Sequence, residues 1–269
     1  MKLFETNLDN SPFFVHTNVF KIKNLLIHNN KAKDFNSYAD SVTDALYRFF
    51  GEDFILPSFN NEFKEKKIFN VNKDKAQSEW VGAYPEFLRV KKGISRSHVP
   101  FFSTISKKIF LKKEIEIKPY GKNSIFEKLL KMNGSIIQFG CDFANGLTFL
   151  HYIEQFSAPP LYRYDKTFFG KIISEVDEYD CSVTFHVIPK GVKLVYDWGK
   201  VYNDFIDNDL IEVSKYNSNV RIMNCKKIAE YAIDKIKLDP YYLLDDESQI
   251  IAKNISDNGN TRVELSDYE

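Results

Sequence analysis

Three polar residues near the middle of the chain have types and a spacing that suit acid–base chemistry: Thr148, His151 and Glu154. Side chains three or four positions apart lie on one face of an α-helix. An imidazole has an unperturbed pKa of about 6.5, and a nearby carboxylate can orient the ring and stabilise its protonated form. The pattern predicts a general base with an orienting partner, beside a hydroxyl that binds substrate or an oxyanion. An ordinary amphipathic helix, with a half-buried His151 satisfied by Glu154, fits the same spacing.

The segments around these residues predict a strand, a loop and a helix in that order. SIIQFG (135–140) is an apolar run that indicates a buried strand, and GCDFANG (140–146) is a flexible turn. The helix is predicted over 145–156, with Phe149, Leu150 and Ile153 facing the core. A junction of this kind is a common place for an active site, because a stiff scaffold there presents a mobile polar edge.

The rest of the chain repeats this alternation of strands and helices. Strands are predicted over 12–17, 54–59 and 183–189, and helices over 40–51, 124–134 and 225–237. The alternation is typical of an α/β or mixed α+β fold. We find no internal repeat and no long Pro/Gly/Ser linker, so we expect one domain over 1–244. The polar, acidic stretch 245–269 is predicted to be a loose C-terminal extension.

Composition excludes several functional classes. Lys plus Arg and Asp plus Glu both number 37, so a strongly basic nucleic-acid surface is not expected. No apolar run reaches the roughly 18–20 residues that span a bilayer, and the N-terminus does not read as a secretory signal. Cys141, Cys181 and Cys225 fit no zinc spacing. We therefore expect a cytoplasmic protein without a metal site, without nucleic-acid binding and without membrane insertion.

Five stretches of sequence, taken in order, resemble one family. They are VHTNVFKI (15–22), DALYRFFGEDFILPSFNNEF (44–63), SEWVGAYPEFLRVKKGISRSHVPFFS (78–103), GKNSIFEKLLKMNGSIIQFG (121–140), and TFLHYIEQ with LYRYDKTFFG (148–155, 161–170). Together they resemble the aminoglycoside 3-N-acetyltransferases and their relatives in surface-polysaccharide gene clusters. The resemblance implies a central mixed β-sheet flanked by helices. HYIEQ followed by YRYDKTFFG looks closer to the polysaccharide relatives than to the antibiotic-modifying enzymes.

Two motifs depart from the pattern of this family. Many members have His-Pro where this chain has Val99-Pro100, and here His98 stands one place earlier. The strand-end motif, often His-Ser/Thr-Ser, is His16-Thr17-Asn18 in this chain. The first departure weakens any role for His98.

The resemblance implies acyl transfer from acetyl-CoA, or another acyl-CoA, to a sugar amine. His151 is then the expected general base, Glu154 its orienting partner, and Thr148 a contact of the thioester region. The expected pantetheine-side contacts are His16, Thr17, Asn18 and Ser103. Arg163 and Tyr164 are expected near the acceptor or the CoA phosphates.

Three functions remain in competition. The first is an N-acyltransferase that acts on a nucleotide-linked amino sugar for a glycan of the O-antigen or capsule type. Overall neutrality and the basic-aromatic YRYDK run favour such an anionic acceptor. The second is an aminoglycoside 3-N-acetyltransferase that confers antibiotic resistance. The third, of another class, is a non-catalytic domain that binds a sugar or a partner protein.

Overall fold

The structure is a computed structural model that describes residues 2–6, 8, 12–26, 34–108, 113–157 and 160–257. Strands in these ranges are β1 (Phe13–Thr17), β2 (Phe54–Pro57), β3 (Ile68–Asn70), β4 (Thr104–Ser106), β5 (Glu116–Ile117), β6 (Ser135–Phe139), β7 (Tyr164–Ile173), β8 (Glu178–Val187), β9 (Glu212–Val213) and β10 (Val220–Asn224). Helices are α1 (Phe35–Phe50), α2 (Phe63–Lys66), α3 (Ser78–Val81), α4 (Tyr84–Lys92), α5 (Ile125–Lys131), α6 (Phe149–Ser157), α7 (Trp198–Asp207), α8 (Cys225–Leu238) and α9 (Asp246–Asp257). Short 3-10 helices occupy Val19–Leu25 and Ala144–Gly146.

A mixed six-stranded sheet forms the centre, with strand order β4-β2-β1-β6-β10-β9. Strand β1 lies parallel to both β2 and β6, whereas β10 runs antiparallel to β6. Strands β1 and β6 are buried along nearly their whole length because both faces of the sheet are covered. Phe14 and Ile136 point into one apolar core, and Val15 and Ile137 point into the other.

Helices supply the two covering layers of this sheet. Helix α1 packs on one face through residues such as Val42 and Leu46. Helices α5, α6 and α8 pack on the opposite face through buried residues that include Leu129, Leu150 and Ile228. The mixed α/β class predicted from the alternating pattern is confirmed, as is the sheet flanked by helices.

A second, four-stranded sheet has the order β3-β7-β8-β5 and is built around a long hairpin. Strands β7 and β8 pair antiparallel from Tyr164↔Val187 to Ile173↔Glu178. The sequence pattern predicted only part of β8, over 183–189, and did not predict β7. Arg163 directly precedes β7 and His186 lies near the end of β8, so both residues lie at the same end of the hairpin.

Helix boundaries follow local capping chemistry. The side chain of Ser124 accepts a hydrogen bond from Glu127 N and so caps the start of α5. Helix α1 starts earlier than the predicted residue 40, because Asp34 and Ser37 form a capping box. Helix α6 starts at Phe149 rather than at 145, because a separate 3-10 turn occupies Ala144–Gly146.

The stretch predicted as a loose extension contains α9, and this helix packs on the protein. Ala252 and Ile255 are buried, and Ser248 Oγ accepts a hydrogen bond of 2.8 Å from Val195 N. Apolar residues four and three positions apart, Ile251, Ala252 and Ile255, give this polar segment one apolar face. The first half of 245–269 therefore belongs to the fold, and 258–269 lie outside the described residues. Among the described helices, none has the length and apolarity needed to cross a membrane.

Candidate active site

Helix α6 places His151 and Glu154 side by side and anchors them from behind. Phe149, Leu150 and Ile153 are fully buried in the core, as the spacing predicted. His151 Nδ1 lies 3.4 Å from Glu154 Oε2. The histidine side chain keeps 30% of its surface exposed, whereas the glutamate side chain keeps 2%. The imidazole can therefore reach a substrate, while the carboxylate acts from the interior.

Glu154 is the centre of a dense cluster of hydrogen-bond donors. Tyr162 donates to Oε1 at 2.6 Å, and Tyr196 donates to Oε2 at 2.5 Å. Arg163 Nε and His186 Nε2 lie 3.8 and 3.6 Å from Oε2. We call Glu154, Tyr162, Arg163, His186 and Tyr196 the carboxylate cluster. Its members come from α6, from the segment before β7, from β8 and from the segment before α7.

The cluster keeps Glu154 ionised. Burial by itself would raise the pKa of the carboxyl, but Arg163, followed by His151 and His186, holds the pKa well below its ordinary value. Burial likewise opposes the charge on Arg163, and the interactions with Tyr196 and Glu154 outweigh it and raise the pKa of the guanidinium. Burial and Glu154 also raise the pKa of Tyr196, so its phenol remains a donor. The pair Glu154–Arg163 is thus a buried ion pair whose hydrogen bonds compensate for lost water.

The contacts of His151 show which ring nitrogen carries the proton and which carries the lone pair. Nδ1 faces Glu154 Oε2 and lies 3.2 Å from the Tyr196 hydroxyl oxygen, which already donates to Glu154. A proton on Nδ1 satisfies both acceptors, so the lone pair lies on Nε2. An imidazole held this way can take a proton from an incoming group, and Glu154 then stabilises the imidazolium.

The same three residues have the spacing of a metal site. Ligand atoms of His151, Glu154 and His186 all lie within 4.8 Å of one another. However, the guanidinium of Arg163 already balances the charge of the carboxylate, and two phenols already occupy its oxygens. A cation would have to displace these donors and lie beside a buried positive charge. The chemistry of the donor set favours a hydrogen-bonded acid–base cluster.

An open cleft lies at the carboxyl end of β1. It is lined by His16, Thr17 and Asn18, by residues 78–84 around the start of α4, and by Cys141, Asp142 and Asn145. The last three belong to the loop that joins β6 to α6. The loop that lines the cleft therefore leads directly into α6, the helix that carries His151.

Two buried polar atoms on the wall of this cleft lack partners. Within the described residues, neither His16 Nε2 nor Thr17 Oγ1 has a hydrogen bond. Burial lowers the pKa of His16 to about 3, so its ring is neutral at ordinary pH. An unsatisfied buried polar group costs about 1–3 kcal/mol. Both residues line the cleft, so they are candidates for contact with a bound ligand. Asn18 has a different task, since its side chain accepts from Phe20 N and caps the first 3-10 helix.

Three residues predicted to contact a ligand are buried: Ser103, Arg163 and Tyr164. Ser103 is fully buried away from the cleft lining, where it accepts from Arg96 Nε at 2.8 Å and donates to Ser58 O at 2.5 Å. Arg163 and Tyr164 are 8% and 4% exposed, and Arg163 Nε lies 3.8 Å from Glu154 Oε2. Arg163 faces inward because Glu154 would otherwise be an unpaired buried charge. We therefore place Arg163 in the carboxylate cluster, and the ligand contacts of Ser103, Arg163 and Tyr164 stay predictions.

Thr148 and His98 occupy less defined places. Thr148 is half-buried just before α6, and its carbonyl accepts from His151 N at 3.1 Å. A contact between its hydroxyl and the thioester stays a prediction. His98 pairs with the Tyr179 hydroxyl at 3.1 Å, and its contacts do not include the carboxylate cluster.

Sequence reasoning missed Tyr162, His186 and Tyr196. Tyr162 stands beside Arg163 in YRYDK, where two aromatic residues flanking a cation gave a weak signal. His186 stands in the alternating segment VTFHVIP, and alternation alone does not decide which face of the strand it occupies. Tyr196 had no signal, because it meets Glu154 only through a contact 42 residues apart.

Solved structures share this fold. The chain is similar to AAC-IIIb in binary complex with CoASH, at 15% identity and a TM-score of 0.64, covering 85% of this chain and 90% of that one. It is similar to a histidine-to-alanine mutant of AAC(3)-IVa in complex with a gentamicin, at 13% identity and a TM-score of 0.64, covering 98% and 93%. It is also similar to YokD from Bacillus subtilis, at 16% identity and a TM-score of 0.60, covering 85% and 94%.

Sequence comparison gives the family. No curated protein sequence matches the chain at a significant level. The family model described as aminoglycoside 3-N-acetyltransferase matches residues 32–237, which include the whole of α6, the β7–β8 hairpin and Tyr196. This is most of the chain, and the fold agrees with it. The protein is a CoA-dependent N-acetyltransferase, with acetyl-CoA as co-substrate, and it belongs to the aminoglycoside 3-N-acetyltransferase family.

Proposed function

We propose that the protein transfers an acetyl group from acetyl-CoA directly to the amine of an amino sugar, with His151 as the general base. The observation that carries this proposal is the His151–Glu154 pair, in which a partly exposed imidazole is held by a buried, ionised carboxylate. A cluster of donors that keeps a buried glutamate charged beside a partly exposed imidazole is more typical of a catalytic site than of a non-catalytic sugar-binding domain.

The steps follow from these positions. His151 Nε2 takes a proton from the acceptor amine as the nitrogen attacks the thioester carbon. The C–N bond forms, the carbonyl oxygen becomes an oxyanion, and the C–S bond then breaks to release the CoA thiolate. His151 then gives this proton to the thiolate, which leaves as CoA. Glu154 stabilises the intermediate imidazolium throughout, at a contact of 3.4 Å.

The cleft at the end of β1 is the proposed site of acetyl-CoA. His16 Nε2 and Thr17 Oγ1 would gain the hydrogen-bond partners they lack within the described chain. Gly82, Ala83 and Tyr84 line the same cleft at the start of α4, and a helix N-terminus attracts anions such as the CoA phosphates. Asn18 would contribute through the loop it caps.

Two acceptor classes fit this chemistry. A nucleotide-linked amino sugar for surface glycan is supported by the resemblance in HYIEQ and YRYDKTFFG, although Arg163 no longer supports it, since it faces Glu154. An aminoglycoside is supported at least as well by the related structures. One such structure holds a gentamicin, and another, of AAC-VIa, holds sisomicin at 15% identity and a TM-score of 0.63.

A thiol-release assay tests both classes. Acetyl-CoA is combined with the protein and a panel of nucleotide-linked amino sugars and aminoglycosides, and free CoA thiol is measured. Release with the sugars alone selects the first acceptor, and release with aminoglycosides alone selects the second. Release with neither class contradicts the proposed acceptors. Products are confirmed as N-acetylated by mass spectrometry, since hydrolysis of acetyl-CoA also releases thiol.

A further inference from the structure

The loop between β6 and α6 is held from behind by two side chains of the central sheet. Gln138 lies on β6, is fully buried, and donates from Nε2 to Phe143 O at 2.9 Å. Arg221 lies opposite it on β10 and donates from Nη1 to Gln138 Oε1 at 3.2 Å. The same Nη1 donates to Cys141 O at 3.3 Å. Two carbonyl groups of the loop are therefore bound by side chains to which the reaction above gives no role.

The contact of Arg221 with Cys141 O sets the direction of the next backbone N–H. A trans peptide group points its C=O and its N–H to opposite sides. Cys141 O faces Arg221 on β10, whereas the cleft lies on the other side of β6, at the carboxyl ends of β1 and β2. The N–H of Asp142 is therefore directed away from β10 and toward the cleft, which Cys141 and Asp142 both line.

This N–H is available to a ligand. Within the ranges that the structure describes, the N–H of Asp142 donates no hydrogen bond, although those of Gly140 and Asn145 both do. The carboxylate of Asp142 has its own partner, Lys21 Nζ, at 2.6 Å. A backbone N–H is a strong donor, and one that faces a cleft can bind an oxygen of the molecule that occupies it.

Glycines at both ends of the loop let it fit closely against its neighbours. Gly140 has a φ of +91°, and a Cβ there would lie 2.4 Å from Asn18 O. A Cβ at Gly146 would lie 2.6 Å from Cys141 Sγ and 2.8 Å from Gln138 Nε2. The loop is thus packed on the cleft wall at one end and on the buried amide of Gln138 at the other.

We propose that Arg221, supported by Gln138, is a positioning residue for acetyl-CoA. It turns the N–H of Asp142 into the cleft, where this N–H donates a hydrogen bond to a carbonyl oxygen of the pantetheine arm. The carboxylate of Asp142 disfavours a phosphate so close to this donor, so a neutral carbonyl oxygen is the expected acceptor. The inference rests on the proposal that the cleft holds acetyl-CoA.

Two substitutions at Arg221 test its role. Arg221→Leu removes the donor to Cys141 O, whereas Arg221→Lys keeps a cation that can still donate to it. We expect the Kd for acetyl-CoA, measured by calorimetry, to rise about 3- to 10-fold in the leucine variant, the equivalent of one hydrogen bond. The lysine variant should recover most of this loss. At saturating acetyl-CoA, kcat should stay within about threefold, because core residues of α6 anchor His151 independently.

Arg48→Leu is the matched control. Arg48 Nη2 also donates to a backbone carbonyl, Leu25 O at 2.8 Å, and its guanidinium also lies over an aromatic ring, but Arg48 does not line the cleft. Both leucine variants lose a bond between a guanidinium and a carbonyl, and only Arg221→Leu should weaken acetyl-CoA binding. An unchanged Kd in Arg221→Leu, or equal changes in the two variants, would overturn the proposal.

A measurement on the native protein decides the matter even if Arg221→Leu does not fold. Saturation with acetyl-CoA should move the Asp142 amide proton downfield in ¹H–¹⁵N spectra, and an unmoved resonance would refute the hydrogen bond. Thr17→Val tests the site itself. A normal Kd in both Thr17→Val and Arg221→Leu would refute the cleft as the acetyl-CoA site, and the inference with it. Weakened binding in Thr17→Val alone would refute only the role of Arg221.

Discussion

The carboxylate cluster and the cleft at the end of β1 are both polar and both connected to the β6–α6 loop and helix, but their polar atoms are satisfied to different extents. Both oxygens of Glu154 accept hydrogen bonds from phenols, and a guanidinium and two imidazoles surround them. In the cleft, His16 Nε2 and Thr17 Oγ1 are buried without partners in the described chain.

The difference separates two kinds of functional residue. A group that must keep one protonation state and one orientation during a reaction needs its partners within the protein. A group that binds a ligand is left with a hydrogen bond unmade, and the ligand makes it. In this molecule, the first kind surrounds the proposed general base, and the second lines the proposed acetyl-CoA site.

The largest effect is expected when the carboxylate cluster loses the negative charge of Glu154. Glu154→Gln leaves Arg163 buried without a carboxylate, and breaking a buried ion pair in this way costs about 3–5 kcal/mol. We expect that loss in the free energy of unfolding, measured by chemical denaturation. Glu62→Gln removes an exposed pair with Lys66 and should have only a small effect, because water screens that pair. Equal losses in the two variants would contradict the cluster as a satisfied ion-pair network.

The next effect concerns turnover rather than stability. His151→Asn should lower kcat by at least about 100-fold, the size of a general-base contribution, with little change in the KM for acetyl-CoA. The side chain is partly exposed, so the fold should tolerate the change. Turnover is measured with the acceptor that the thiol-release panel selects, and acetyl-CoA binding by calorimetry. A raised KM with normal kcat would show that His151 binds substrate and does not act in the chemical step.

How far the sequence predicts these two regions depends on the distance over which their contacts form. His151 and Glu154 are predictable because helical periodicity alone brings them together. The residues that surround this pair are not predictable, because Tyr196 and His186 lie 42 and 31 residues along the chain from their partners on α6. Strand alternation cannot tell which face of β8 is covered until the neighbouring helix is placed.

The surroundings of Arg163 were hidden from the sequence in a similar way. An arginine beside aromatic residues is common at anion-binding sites, and this pattern led to the prediction for Arg163. In the structure Arg163 faces Glu154, nine positions earlier across a loop, a separation with no periodic signature. The unpartnered atoms of His16 and Thr17 were likewise invisible in sequence, since an unmade hydrogen bond is a property of the folded surroundings.

The burial of His16 at the cleft predicts how the stability of the protein depends on pH. Folding lowers the pKa of His16 from 6.5 to about 3, so unfolding at acid pH is accompanied by proton uptake. The stability contributed by the neutral ring is fully present above 6.5 and is lost as pH falls toward 3. Native protein should therefore lose up to about 1.4 kcal/mol per pH unit more than His16→Gln over the upper part of this range, above the titration of carboxyls. Parallel losses would mean that His16 titrates normally and is not sealed in the wall of the cleft.

The smallest effect is expected at Cys141, and it tests whether the cleft only binds. Cys141 lines the cleft, and a thiolate there could take the acetyl group before the amine does. However, burial raises the pKa of this thiol to about 12, so almost none is ionised at neutral pH. Cys141→Ala should keep kcat within about threefold, and mass spectrometry of native protein mixed with acetyl-CoA alone should show no acetylated enzyme. An acetyl adduct on Cys141, together with a dead alanine variant, would move the chemistry into the cleft. In that case the distinction drawn between satisfied and unsatisfied groups would no longer separate reaction from binding.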